Sequence, residues 1–221
     1  MIKIYKDEFD SAIFHKGVFR MVTSGSVIAG QLERAIKGAK ADLIFYSVDF
    51  DNKIIKVVEK LGFNLMSIRN TYKLPADFFS GNVENRQLLS DLNLRVLKHS
   101  ESGLAFGKDE VLNMANIIGV TSRYFHDALI RRIVARKIYI AWLENSLYKH
   151  YADEAFTIVD PASRLVGLIT LKIREGSGYI DLIGVDTGYQ NKGLGRILLA
   201  KSVAYFKDRN IKDVYVATEG E

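Results

Sequence analysis

The sequence predicts a mixed α/β (α+β) protein: a mostly antiparallel sheet flanked by helices, preceded by a small N-terminal α/β unit. Three observations lead there. An apolar strand from Tyr179 to Val185 feeds the turn Gln190-Asn191-Lys192-Gly193-Leu194-Gly195, which opens a helical run to Asp208. Upstream, strand-like segments bounded by turn residues follow two stretches of helical periodicity. A polar, turn-rich stretch from Pro75 to Asp91 separates all of this from an N-terminal segment with a strand and an amphipathic helix of its own.

The elements follow in chain order. Asp42 to Val48 reads as a buried strand, and Ile54, Val57, Val58 and Leu61 then mark one face of a helix. Gly62 stands where a helix-terminating glycine belongs, and Phe63 to Ile68 and Thr71 to Leu74 read as two further strands. This gives an N-terminal α/β domain over residues 1–80; within the polar stretch from Pro75 to Asp91, Phe78 and Phe79 are expected to anchor it to a neighbouring surface. The second domain spans residues 91–221. It opens with a strand at Leu92 to Lys98, a helix at Asp109 to Ile118 and a helical region at Ile130 to Leu147. Strands at Ala155 to Val159, Leu165 to Ile173 and Tyr179 to Val185 come next, with turns at Pro161-Ala162-Ser163 and Gly176-Ser177-Gly178. Leu199, Val203 and Phe206 form one face of the last helix, and Val214 to Ala217 is the last strand.

Composition narrows the classes. The chain has 221 residues, 48% of them hydrophobic, enough for one large domain or two small ones with a real core. No apolar run approaches the ~20 residues of a membrane span. The N-terminus interleaves charge with apolar residues and has no signal-peptide core, so a cytoplasmic protein is expected. Cysteine is absent, which excludes disulfides, zinc–thiolate sites and a cysteine acyl relay. The net charge of +5 is spread among acids. The clusters Arg131-Arg132 and Arg136-Lys137 suit a solvated helix face or the rim of an anionic small ligand better than a nucleic-acid stripe. No spacing of His, Asp and Glu has the form of a metal site, so no metal is expected.

A strand, a glycine turn and a helix start together form a device for holding phosphate. The first helical amides have no internal acceptor, and the helix dipole favours negative charge there. Gly193 and Gly195 remove the Cβ atoms that would keep a ligand off the backbone, while Lys192 and Arg196 add positive charge. The turn is not a Walker A loop, because Leu194 and Gly195 stand where Lys-Ser/Thr is needed. Nor is it a Rossmann turn, since Leu198 occupies the place of the third glycine.

The pattern Gln-x-x-Gly-x-Gly after a strand ending in Gly184-Val185-Asp186 resembles the GNAT acetyltransferases over roughly residues 91 to 221. That resemblance implies acetyl-CoA as co-substrate, with its diphosphate on Gln190, Asn191, Lys192, Gly193, Leu194, Gly195 and Arg196. It also implies that the strand before the turn splays from its neighbour. Backbone N–H groups of Ile183, Gly184 and Val185 then serve the pantetheine arm and the thioester oxygen.

A base must deprotonate the acceptor amine. Asp181 occupies the strand position where many family members carry a glutamate, and its plain alternative is a polar residue on an open strand face. His126, beside Asp127, is the second candidate, against a reading as a surface loop residue. His15, His99 and His150 have no paired context.

The segment Leu43 to Val48, Asp51-Asn52 and Leu61-Gly62-Phe63 is similar to the closing part of a GNAT fold, placed at the opposite end of the chain. With Ser122-Arg123-Tyr124-Phe125 and Tyr139-x-x-Trp142-x-x-Asn145, the arrangement resembles members that acetylate amino sugars carried on nucleotides. Arg123, Tyr139, Trp142 and Asn145 are then the acceptor-binding candidates, with core packing the alternative for Tyr139 and Trp142. The expected partner is a small-molecule amine, with a nucleotide sugar first. A polyamine, an amino acid or a protein N-terminus is second, and a non-catalytic coenzyme A-binding module is third. No nucleic-acid partner or membrane span is expected, and a homodimer is allowed. GNAT folds continue past this last strand with a helix that commonly carries a proton-donating tyrosine, then two strands. Either the natural chain extends beyond Glu221, the expected case, or the N-terminal unit completes the sheet.

Overall fold

The computed structural model describes residues 1–25, 28–48, 52–75 and 86–220. The chain divides into two compact units, Met1–Met66 and Ser67–Glu221.

In the first unit, β1 (Ile2–Lys6) pairs antiparallel with β2 (Val18–Thr23), and β2 pairs parallel with β3 (Leu43–Ser47). Helix α1 (Glu8–Phe14) joins β1 to β2, α2 (Ala29–Ala39) joins β2 to β3, and α3 (Asn52–Lys60) follows. Met21, Leu32 and Val58 are its buried core, with Ile4, Ile44, Ile54, Val57 and Leu61 packed around them. The face read from Ile54, Val57, Val58 and Leu61 is therefore the one that buries. Asp7 caps α1, accepting from the Asp10 amide at 2.9 Å and from Arg20 Nε at 2.8 Å. Burial pushes the Asp7 carboxyl up, but that amide and Arg20 outweigh it and hold it below its ordinary value. The expected strand at Phe63 to Ile68 does not form: residues 63–67 are irregular and only Ile68 enters a strand. Leu65 is exposed there, and no neighbouring strand offers a ladder.

The second unit is a six-stranded sheet in the order β4-β9-β8-β7-β6-β5. Its strands are β4 (Ile68–Pro75), β5 (Arg95–Lys98), β6 (Glu154–Val159), β7 (Leu165–Arg174), β8 (Ser177–Val185) and β9 (Asp213–Gly220). Strands β6 to β8 form an antiparallel meander with β5 antiparallel beside β6, β8 and β9 are parallel, and β4 runs antiparallel to β9. The helices are α4 (Arg86–Asp91), α5 (His99–Ser102), α6 (Lys108–Gly119), α7 (Arg123–His126), α8 (Arg132–Tyr148) and α9 (Leu194–Lys207).

Alternation along β8 divides its contacts between two helices. Ile183 and Val185 join the core built on Leu194, Ile197, Leu198 and Phe206 of α9. Gly184 faces α6, where an added Cβ would come within 2.7 Å of Met114 Sδ. The start of α6 is tied to β7 by Glu110, whose carboxylate accepts from the amides of Gly107 at 2.7 Å and Leu165 at 2.8 Å.

Three expectations shift here. The β7–β8 turn is Glu175-Gly176, both at positive φ, and Ser177 and Gly178 already belong to β8. Of the polar stretch from Pro75 to Asp91, residues 86–91 form α4, whose Leu88 and Leu89 pack on the core, while 76–85 lie outside the described residues. The strand containing Thr71 to Leu74, read with the N-terminal unit, hydrogen-bonds along its whole length to β9 in the second. The edge of β9 away from β8 is thus covered by a strand that precedes the domain in the sequence.

Candidate active site

Strands β8 and β9 pair only from Gly178 to Ile180, against Val214 to Val216. Beyond that point β8 stays bonded to β7 through Val185, and β9 stays bonded to β4 through Gly220. Both strands are held from outside while they part from each other. The cause is local: the β7–β8 register shifts between Thr170 and Leu171, leaving Asp181 as the unpaired residue of a bulge. A bulge bends its strand and re-aims a side chain. The Leu182 amide next to it is taken by Thr170 Oγ1 at 3.1 Å. From Asp181 to Val185, the edge of β8 facing β9 carries no ladder.

The parted strand leads straight into the glycine turn. Asp186 caps a short 3₁₀ turn at Thr187–Tyr189, and Asn113 of α6 holds its other oxygen at 2.7 Å. Gln190 Nε2 donates to the Val185 carbonyl at 3.0 Å, and Lys192 Nζ to the Gly188 carbonyl at 3.0 Å. Asn191 and Gly193 both have positive φ, 60° and 85°, and Gly193 caps α9. Among the described residues, no acceptor meets the amides of Gly193, Leu194 or Gly195. A Cβ at Gly195 would meet nothing within 4 Å. Leu194 is buried beneath the turn, while Arg196 is exposed. Open space over unpaired amides at a helix N-terminus is the shape a diphosphate needs. Lys192 folds back over the Tyr189 ring, 5.1 Å from its centroid, so its charge sits within the turn.

Asp181 bonds to Arg174 Nη2 at 2.7 Å across the hairpin. Burial raises its carboxyl above the ordinary value, against the opposing charges of Arg174, Lys172 and Arg69. His126 lies at the exposed end of α7, whereas its neighbour Asp127 is buried and caps the next turn by accepting from the Leu129 amide at 2.8 Å.

Three of the acceptor candidates, Arg123, Tyr139 and Trp142, gather around Tyr124 at the Glu219 end of β9. Tyr139 and Trp142 sit edge-on 4.9 Å apart, and Tyr124, fully buried, packs against both. Burial pushes the Tyr139 hydroxyl up to about 12, so it remains protonated at neutral pH. Trp142 is only partly buried, and Asn145, two residues from a fully packed stretch of α8, accepts the amides of Lys149 and Tyr151 on its carbonyl.

Arg123 is not turned outward to an anion. Its guanidinium bonds to Glu219, whose other oxygen accepts the Arg123 amide at 2.8 Å, and it lies over the Tyr124 ring. Sequence reasoning missed Glu219. The signal for it was the two-residue spacing of Tyr215, Ala217 and Glu219, which puts all three on one face of β9. Tyr215 itself stacks on Tyr179 at 5.4 Å, a packing role. Because the pair is only partly exposed, Arg123→Ala is expected to lower stability by about 1–3 kcal/mol. Glu219→Gln in the same background should recover part of that loss. Additive losses in a thermal double-mutant cycle would show that the pair carries no coupling.

A strand pair that parts beside an open helix N-terminus leaves room for an extended ligand with an anionic end. Residues 123–221 match the sequence model of the Acetyltransferase (GNAT) family. The fold is similar to a functionally unknown conserved protein from Staphylococcus epidermidis ATCC 12228, at 14% identity and TM-score 0.56, over 93% of this chain and 75% of that one. It is also similar to the tandem GNAT protein of the clavulanic acid biosynthesis pathway, at 11% identity and TM-score 0.52, over 91% and 66% of the two chains. The GCN5-related glucosamine N-acetyltransferase region of a fungal multi-domain GH3 β-N-acetylglucosaminidase aligns at 12% identity and TM-score 0.55, over 100% of this chain and 28% of that one. No curated protein sequence matches significantly. The family match covers less than half of the chain, and the solved structures share its mixed α/β GNAT fold. No helix among the described residues is long and apolar enough to cross a membrane.

Proposed function

We propose that the chain acetylates the primary amine of an amino sugar carried on a nucleotide, in the cytoplasm. The observation that carries the acetyl-transfer site is the parting of β8 from β9 after Ile180, at a bulge that presents Asp181. In this reading the N-terminal turn of α9 binds the coenzyme A diphosphate. The amides of Ile183 and Val185, alternating with those of Leu182 and Asp186 that bond towards β7, face the pantetheine arm and the oxygen on which charge develops. The neutral amine nitrogen attacks the thioester carbon and the carbon–sulfur bond breaks. Asp181 accepts the amine proton, directly or through water, and the thiolate leaves. His126 is the alternative base.

The choice of acceptor rests on resemblance. The segments Ser122 to Phe125 and Tyr139 to Asn145 resemble those of TDP-fucosamine acetyltransferase of bacterial surface-polysaccharide synthesis. Thiol release from acetyl-CoA should therefore be measured with a TDP-linked amino sugar, a polyamine, a free amino acid and a peptide. The nucleotide sugar is expected to lead in kcat/KM by a factor of about 10² or more, as differential polar contacts allow. A lead for any other amine would overturn the acceptor assignment and leave acetyl transfer intact.

A further inference from the structure

We infer that an oxyanion on the amine acceptor is held by Arg69 of β4, not by Arg123. The inference rests on the acetyl-transfer reading above but not on the sugar. Arg69 stands directly across the β4–β9 ladder from Glu219. Cross-strand partners share a face. Glu219 lies two residues beyond Ala217 and four beyond Tyr215, whose ring stacks on Tyr179 of β8. Asp181 follows Tyr179 by two residues. Arg69 and Asp181 therefore flank the gap between the parted strands from opposite sides, and the Arg69 charge is felt at Asp181.

Four other cations among the described residues of this sheet region are committed. Arg123 bonds to Glu219, Arg174 to Asp181, Lys172 to Asp153 and Lys73 to Asp213. Arg69 is exposed, and among the described residues no carboxylate pairs with it. A guanidinium presents a planar fork of donors that matches a phosphate or carboxylate. Asp181, the proposed base, lies on the other side of the gap, where the amine of the same molecule would stand. The site is thus polarised for an acceptor bearing an amine and an anionic group. Its anion-binding residue comes from outside the segment 123–221 that matches the family.

The test is calorimetry on the full chain with saturating coenzyme A present, so that the α9 turn is occupied. Thymidine diphosphate probes a phosphate source of the oxyanion, and glycine probes a carboxylate source. One of them should bind. Arg69→Ala should weaken that anion roughly ten- to hundredfold, the effect of losing a charge-assisted contact. Arg69→Lys should recover part of the loss. Coenzyme A affinity and melting temperature should stay unchanged, because Arg69 is exposed. Equal anion affinity in Arg69→Ala, or no binding of either anion to the parent, overturns the inference. If acetyl-CoA were turned over with no amine at all, acetyl transfer would fail, while the calorimetry would still decide the fate of Arg69.

Discussion

Gly195→Val lowers coenzyme A affinity roughly hundredfold, the loss of about two charge-assisted contacts, and leaves melting nearly unchanged. The asymmetry follows from where the new atoms go. A Cβ at Gly195 meets nothing within 4 Å, so the fold does not resist it. In a helix, valine is no worse than glycine by propensity. The added methyl groups stand over the amides of the first turn of α9, in the space a diphosphate would enter. Gly193→Val is the weaker test, because φ is +85° there and any side chain strains the backbone. Calorimetry on a folded Gly195→Val protein decides the matter. Undiminished affinity would remove the diphosphate from the α9 terminus.

Asp181→Asn should lower kcat by a factor of about 10²–10⁴, the usual cost of a lost general base. The pH dependence has a definite sign. Asp181 works as a base only when ionised, and burial raises its carboxyl above the ordinary 3.8. Activity should therefore be retained above the raised value and lost as pH falls through it. Arg174 opposes the rise, so Arg174→Gln should carry the acid limb to higher pH, and Asp181→Asn should erase it. The same shift acts on stability. The contribution of a carboxyl with a raised value is present at low pH and lost as pH rises through that value. A kcat within threefold of the parent in Asp181→Asn would pass the role of base to another group, with His126 next to be replaced.

Local pattern carried much of the second unit. The strand at Tyr179, the turn at Gln190 and the helix at Leu194 fall within one or two residues of β8, the 3₁₀ turn and α9, because their signals are periodicity and glycine placement. Partner choice was less legible. The strands Ile2–Lys6 and Val18–Thr23 are not among the expected elements, because their antiparallel pairing is set by tertiary packing around Met21 and Leu32. The bulge at Asp181 leaves no mark in composition. Arg123 looked available because a sequence does not reveal its counter-charge, and Glu219 lies 96 residues away. Arg69 is hidden for a similar reason: it falls between the strands expected at Phe63 to Ile68 and Thr71 to Leu74, whereas β4 runs through it from Ile68 to Pro75.

The position of β4 also bears on how the chain becomes folded. Strand β4 is synthesised before the other described strands of its sheet, yet the ladder that fixes it is to β9, which follows all of them in the chain. Until β9 emerges from the ribosome, β4 has no partner among the described strands of its sheet. Closing so long a loop adds little to the equilibrium cost, about 0.6 kcal/mol per doubling of length. It weighs on rate instead, because pairing between distant segments is a slow step in folding. Through that interval β4 offers two bare hydrogen-bonding edges, guarded by Arg69, Lys73 and Pro75, the residue types that discourage wrong pairing.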